Sequence, residues 1–206
     1  WGLQDKFVIG VVARNQGRKM LDRTFQAFAK VKDRIPNAVL FLHCDKYDPA
    51  SYFNPDCLVQ ELGIENRVIW SGTKYFRGFD YRKMNEIYNL FDVFFLGTSG
   101  EGFGIPTIEA MSAEIPILAT DYTTTWELIE RTNSGESIKK TGEILGSWNV
   151  GRAIVDPVDG AEKVYKLYKD ESLRREYGKN GRLAVLKEYD WNYVSKFWDK
   201  LLRKML

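Results

Sequence analysis

Apolar runs that lack alternation constrain this chain most. Phe7–Ala13, Ala38–His43, Val93–Leu96 and Ile115–Thr120 are nearly continuous hydrophobic segments, separated by stretches with helical spacing. A strand that is apolar on both faces must be covered on both, as happens in parallel sheets sandwiched by helices. Asn66–Trp70 predicts a further short strand and Arg152–Val155 a last one. Leu21, Thr24, Phe25, Phe28, Val31 and Ile35 form one helical stripe ending before Pro36; Met84, Ile87, Tyr88 and Phe91 form another. Pro55–Leu62, closed by Gly63, and Trp126–Glu130 predict short helices. Helices over about 160–169, 171–187 and 191–205 end the chain, with Asp190 as N-cap of the last. The polar, glycine-bearing segment 132–149 predicts a surface insertion. The expected fold is α/β: a doubly wound, Rossmann-like parallel sheet with helices on both faces. Its ligand site is expected at the carboxyl ends of the strands, where strand order reverses.

Composition narrows the function classes. At 206 residues, with 44% hydrophobic and 28% charged residues, the chain suits a single domain with a substantial core. A net charge of +2 offers no basic groove for nucleic acid, and no apolar run is long enough to span a bilayer. Cys44 and Cys57 give neither a metal pattern nor a disulfide framework, so a reducing, cytoplasmic setting is expected. His43, the sole histidine, ends an apolar run and reads as a core or rim residue rather than a base; no catalytic metal is expected. Trp70, Trp126 and Trp198 are expected in the core. The chain opens at Trp1 without methionine and enters a strand almost at once, as expected for part of a longer protein cut at a linker.

Chemistry concentrates in Glu101-Gly-Phe-Gly-Ile-Pro-Thr-Ile-Glu109. A strand, a glycine-bearing loop and a helix starting near Gly104 aim unpaired N–H groups and the positive helix end at one spot, which suits phosphate. Carboxylates beside an anion site repel bare phosphate, and accepting bonds from sugar hydroxyls is the role left to Glu101 and Glu109. Phosphate and sugar together imply a nucleotide-sugar ligand. A hydrolytic acid/base pair fits less well, because the helix N-terminus favours ionised carboxylates over a proton donor. Gly100, Gly102 and Gly104 have the wrong spacing for a dinucleotide fingerprint. In the loop after the first strand, Arg14 and Lys19 supply a planar fork and a point charge suited to a diphosphate. Solvated surface cations are the alternative reading for that pair, and water-exposed carboxylates for Glu101 and Glu109.

These strings resemble the C-terminal, donor-binding domain of GT-B fold retaining glycosyltransferases (group 1, the Glu-x7-Glu family). The resemblance rests on Val12-Ala-Arg14-Asn-Gln-Gly-Arg-Lys19, Tyr88-Asn-Leu-Phe-Asp92-Val-Phe-Phe-Leu, Glu101 to Ala110, Pro116 to Asp121 and Gly151 to Pro157, in that order from about residue 6 to 195. It implies that Arg14 and Lys19 hold the donor diphosphate, that Glu109 takes the ribose hydroxyls and that Glu101 contacts the transferred sugar. Backbone N–H groups around Phe103, Gly104 and Ile105 would assist, and the loop after Arg67-Val68-Ile69 would hold the base of a UDP or GDP sugar. Arg14, Lys19 and Glu101 are then the catalytic set, with no metal or cofactor. An N-terminal acceptor-binding domain of the same protein is the implied partner, and a helix at about 190–206 would pack toward it. That domain is also the implied route to any peripheral membrane contact, and without it the chain is expected to be an inactive fragment. Three departures stand out: Thr123-Thr-Thr-Trp-Glu127 where glycines are common, Glu114 in place of a glycine, and a long 132–149 segment. The expected function is donor binding in transfer of a sugar to an unknown acceptor. The alternatives are a non-catalytic nucleotide- or sugar-binding module, or another enzyme on the scaffold, an epimerase or phosphorylase.

Overall fold

The computed structural model describes residues 1–205; Leu206, at the end of the expected 190–206 helix, lies outside the described residues. Strands β1 (Phe7–Val12), β2 (Ala38–His43), β3 (Val68–Trp70), β4 (Val93–Leu96), β5 (Ile117–Thr120) and β6 (Gly135–Ile138) form one parallel sheet in the order β3-β2-β1-β4-β5-β6. The doubly wound α/β reading of the sequence is therefore what the chain adopts. From β1 the chain winds outward to β3, then crosses back to β4 and winds the other way. The carboxyl ends of β1 and β4 thus flank the switch point.

Alternate side chains of β1 explain why the runs are apolar throughout. Phe7, Ile9 and Val11 enter one buried cluster with Phe25, Phe28, Leu40 and Val164. Val8 and Val12 enter a second, with Phe41, Phe94, Met111 and Ile129. Helices α1 (Leu21–Val31), α2 (Pro55–Glu61) and α6 (Pro157–Lys169) supply the first face. Helices α3 (Tyr81–Tyr88), α4 (Ile105–Ser112) and α5 (Thr124–Glu130) supply the second. Helix α7 (Glu171–Ala184) follows and widens into a π turn at Val185–Tyr189 before α8 (Trp191–Arg203). Short polar side chains start α2, α3, α6, α7 and α8: Asn54, Asp80, Asp156, Asp170 and Asp190 each accept from backbone N–H of the following turn.

Three expectations need correction. The 132–149 segment is not an unstructured insertion: β6 is the outermost parallel strand, and β7 (Lys140–Leu145) pairs antiparallel with β8 (Gly151–Val155). Arg152–Val155 therefore belongs to a two-stranded ribbon and not to the main sheet. The edge strand β6 and the exposed strand β7 need no apolar run, so hydrophobicity does not reveal them, whereas β8, which buries Ala153 and Val155, is the strand expected there. Trp126 and Trp198 are not core residues; each is more than half exposed, while Trp70 packs partly against the first cluster. Helix α8 buries none of its residues, and its apolar stripe, including Trp191, Trp198 and Leu202, faces outward.

Glu114 closes α4 in the left-handed region, at φ 60°. A Cβ there meets the neighbouring peptide, which glycine avoids. Glu114→Gly is expected to raise unfolding stability by about 0.5–1 kcal/mol, read as a higher urea midpoint at constant m value.

Candidate functional site

The loops after β1 and β4 are stitched together. Ser99 N donates to Arg18 O at 2.7 Å, and Thr98 Oγ1 lies 3.2 Å from the same carbonyl. Gly104, at φ 90°, turns the second loop into α4, where Pro106 occupies the first turn. Pro106 has no N–H and Thr107 N donates back to Gly104 O at 2.8 Å, so the N–H groups of Gly104 and Ile105 are the ones that lead this helix start beside the switch point. Phe103 and Ile105 flank this end with side chains half or more exposed.

Lys19 and Glu101 meet there. Lys19 Nζ lies 2.5 Å from Glu101 Oε1, and both side chains are almost fully buried. Thr98 Oγ1 donates to the same oxygen at 2.7 Å. Arg18 Nη1 donates to Glu101 Oε2 at 2.9 Å and to Gly100 O at 3.2 Å. The Glu101 N–H donates to Thr123 Oγ1 at 2.9 Å. Thr123 itself holds φ 57° and ψ −137°, a strained conformation for a β-branched residue, at the start of the Thr123–Glu127 run that departs from the resembled family's glycines. Burial pushes the Glu101 carboxyl up, but the bonds from Lys19, Thr98 and Arg18 outweigh it and leave it below the ordinary glutamate value. Burial also dominates at Lys19 and lowers its ammonium despite the partner carboxylate. Glu101 is thus an ionised carboxylate between two cations, unsuited to donate a proton.

Arg14 stands apart from this trio. Its guanidinium forks onto Asp48, Nε to Oδ2 at 2.8 Å and Nη2 to Oδ1 at 3.2 Å. It lines an open cavity of about 280 Å³ with His43, Asp45, Thr73, Lys74, Tyr75 and the α4 residue Pro106 among its walls. Val68 packs against the core, and it is the loop beyond β3 that reaches the cavity. Glu109 lies one turn into α4, where Tyr88 OH donates to its Oε2 at 2.7 Å and sits 3.4 Å from Pro106 O. Glu109 also borders a second, more apolar cavity of about 390 Å³ with Phe103, Ile105, Ile108, Tyr189, Trp191 and Val194.

The structure therefore joins Lys19 to Glu101 directly and links Arg14 to the start of α4 across one cavity. Glu109 it places beside the second cavity, tied through Tyr88 OH to the Pro106 end of the same helix. Arg18, Asp48 and Tyr88 were not singled out as site residues from sequence. Arg18 sits inside a loop already marked as basic, whereas Asp48 and Tyr88 carry no local signal. His43 meets Ser71 Oγ at 3.0 Å through Nδ1, and burial lowers its pKa from 6.5 to about 4. It stays neutral in the fold while the unfolded chain takes up a proton below 6.5. Folding stability is thus expected to fall as pH drops through that window, and His43→Gln to flatten the loss, measured as urea midpoints at pH 7 and pH 4.5. Among the described residues no group of three or more His, Cys, Asp or Glu is arranged to hold a metal ion, and no helix is long and apolar enough to cross a membrane.

Known proteins resemble this chain in sequence and in fold. Residues 2–184 match the family described as glycosyl transferases group 1. The capsular polysaccharide biosynthesis glycosyltransferase CapM of Staphylococcus aureus is 31% identical over 221 residues, covering 98% of this chain and 48% of that protein. The putative glycosyltransferase EpsD of Bacillus subtilis is 27% identical over 196 residues, covering 95% and 45%. The chain thus spans about half the length of the curated relatives it matches. In three dimensions it resembles Anabaena HepE solved in complex with UDP, with a TM-score of 0.80 at 17% identity over 98% of this chain and 50% of that one. Sucrose-phosphate synthase from Thermosynechococcus elongatus gives 0.78 at 21% identity, covering 98% and 46%. A family match over most of the length, carried on a GT-B type sheet, leads to one conclusion: this chain belongs to the group 1 glycosyltransferases.

Proposed function

We propose that this chain is the donor-binding half of a retaining glycosyltransferase, a single nucleotide-sugar-binding domain working with an N-terminal acceptor domain. The observation that carries the reading is the buried Lys19–Glu101 pair, joined by Arg18, at the amino end of α4. Cations and free N–H groups there suit the diphosphate of a UDP or GDP sugar, and the adjoining Arg14 cavity suits the rest of the nucleotide. HepE, whose solved complexes contain UDP, UDP-glucose or UDP with glucose, supports a nucleotide or nucleotide-sugar as the ligand.

In the proposed reaction the bond from the anomeric carbon to the diphosphate oxygen breaks and its electron pair leaves with the diphosphate. The acceptor oxygen adds to the same face, keeping the anomeric configuration, and its proton passes to the departing diphosphate. Arg14, Lys19 and the α4 N–H groups, including those of Gly104 and Ile105 beside Phe103, stabilise the departing charge without a metal or cofactor. Glu101 orients the sugar and Glu109 the ribose. The outward apolar stripe of α8 fits a helix that packs on the acceptor domain. Placement in the cytoplasm, with membrane contact through that domain, belongs to the same proposal.

Thermal-shift and calorimetric screening against UDP, GDP and their sugars tests donor binding. NMR of the product from a labelled donor, made with the full-length protein, tests the rest. A glycoside of unchanged configuration is expected. Binding without transfer across many acceptors would make the protein a binding module, and epimerised donor or a sugar phosphate would replace transfer by another nucleotide-sugar or phosphorolytic reaction.

A further inference from the structure

Asp48 lies in the loop after β2, and its side chain has no exposed surface, whereas the Arg14 side chain it faces is half exposed. The carboxylate is fixed on its own side: Oδ1 also accepts from Ala50 N at 2.8 Å, and Ser51 N donates to Asp48 O at 2.9 Å. It grips Arg14 through the Nε–Nη2 edge, which leaves the opposite edge of the guanidinium, Nη1 and the second Nη2 hydrogen, without a protein partner among the described residues. The Tyr75 ring, from the loop after β3, lies 5.2 Å from the guanidinium carbon. Two loops thus hold one arginine in a single orientation at the mouth of a cavity. Burying a carboxylate costs free energy, and an exposed ion pair returns little, so stability alone is a weak reason for this arrangement.

We propose that Asp48 is a positioning residue, pinning Arg14 side-on so that its free edge meets the donor diphosphate in one geometry. The inference rests on the donor-binding reading above. Its signature follows from charge. Asp48 subtracts a positive charge from the cavity, so it contributes nothing to the attraction of an anion. What it supplies is orientation, which matters most when charge builds on the leaving oxygen. Asp48→Asn, nearly the same shape without the charge, should leave binding of UDP and GDP unchanged or tighter while turnover falls. A carboxylate that merely holds the loop in shape would lose both together.

The test uses the full-length protein as wild type, Arg14→Ala, Asp48→Asn and the double variant. Calorimetry gives Kd for UDP and GDP, and release of nucleoside diphosphate from UDP-glucose, UDP-N-acetylglucosamine and GDP-mannose gives kcat. Asp48→Asn is expected to lower kcat about ten- to a hundredfold with nucleotide affinity kept, and to add no further loss in the Arg14→Ala background. Losses that multiply in the double variant, or a wild-type kcat for Asp48→Asn, overturn the positioning role and leave the donor reading intact. Failure of the wild type to bind either nucleotide, or a wild-type kcat for Arg14→Ala, overturns the donor reading itself. If Asp48→Asn lowers the thermal midpoint by more than about 5 °C, Asp48→Glu takes its place. It keeps the charge and moves the fork by one methylene, so orientation predicts a loss of kcat and charge alone predicts none.

Discussion

Arg14→Ala is expected to lower the turnover of the full-length protein by about a hundred- to a thousandfold, with a much smaller effect on KM. The guanidinium offers a planar edge at the cavity shared with the start of α4, where the departing diphosphate would gain charge as its bond to the sugar breaks. An interaction that strengthens only as the reaction proceeds is lost from kcat, whereas one made equally with bound donor is lost from KM. Glu109→Ala supplies the contrast. Its carboxylate accepts from Tyr88 OH and, in the proposed reading, from ribose hydroxyls that do not change during transfer. It should raise KM and leave kcat near wild type. The comparison needs steady-state kinetics of both variants with the same donor. Equal losses of kcat in the two would remove Arg14 from the leaving-group site.

Gly178→Ala is expected to be a strongly damaging small substitution away from the site. A Cβ on Gly178 would stand 2.1 Å from the carbonyl oxygen of Glu114, well inside van der Waals contact and against backbone that has no rotamer to move aside. Helix α7 rests on the end of α4 at this point, and Arg182 ties the two together by donating to Ser112 O at 2.7 Å. Relief requires α7 to lift from α4, so the expected loss is about 2–3 kcal/mol. It is measured as a lower urea midpoint with an unchanged m value. A loss below about 0.5 kcal/mol would show that the two elements do not pack this closely. Because α4 carries the N-terminus proposed to face the diphosphate, the same variant is also expected to weaken UDP or GDP binding, with Arg182→Ala a milder version of both effects.

Much of the architecture was legible in the residues because the physics that sets it is local. Both-face burial makes β1, β2 and β4 read as unbroken apolar runs, and the boundaries of β2 and β4 match the expected Ala38–His43 and Val93–Leu96. Asp190 was readable as an N-cap because a short acceptor before a helical stripe satisfies the first free N–H groups. Gly104 was readable as the start of α4 for a related reason: the turn into that helix adopts φ 90°, which suits glycine. The failures are equally physical. Strands β6 and β7 are polar because one is an edge and the other is exposed, so no hydrophobic period marks them, whereas β8 was readable as a strand but not as the partner of β7. Trp126 and Trp198 look like core residues by type, yet the faces that carry them have no covering layer in this chain.

The candidate site divides along the same line. Which residue types face the switch point is set by sequence: a basic loop after the first strand, and a glycine-bearing, acid-flanked loop leading into a helix. Who pairs with whom is a long-range matter. Lys19 and Arg18 reach Glu101 across more than 80 positions, Arg14 turns to Asp48 instead of joining them, and Tyr88 takes Glu109. Such partnerships depend on sheet order, loop path and the room each side chain finds, none of which has a period or a spacing. Local pattern therefore determined the strands, the caps and the inventory of charges, while only the folded chain decided how those charges neutralise and orient one another.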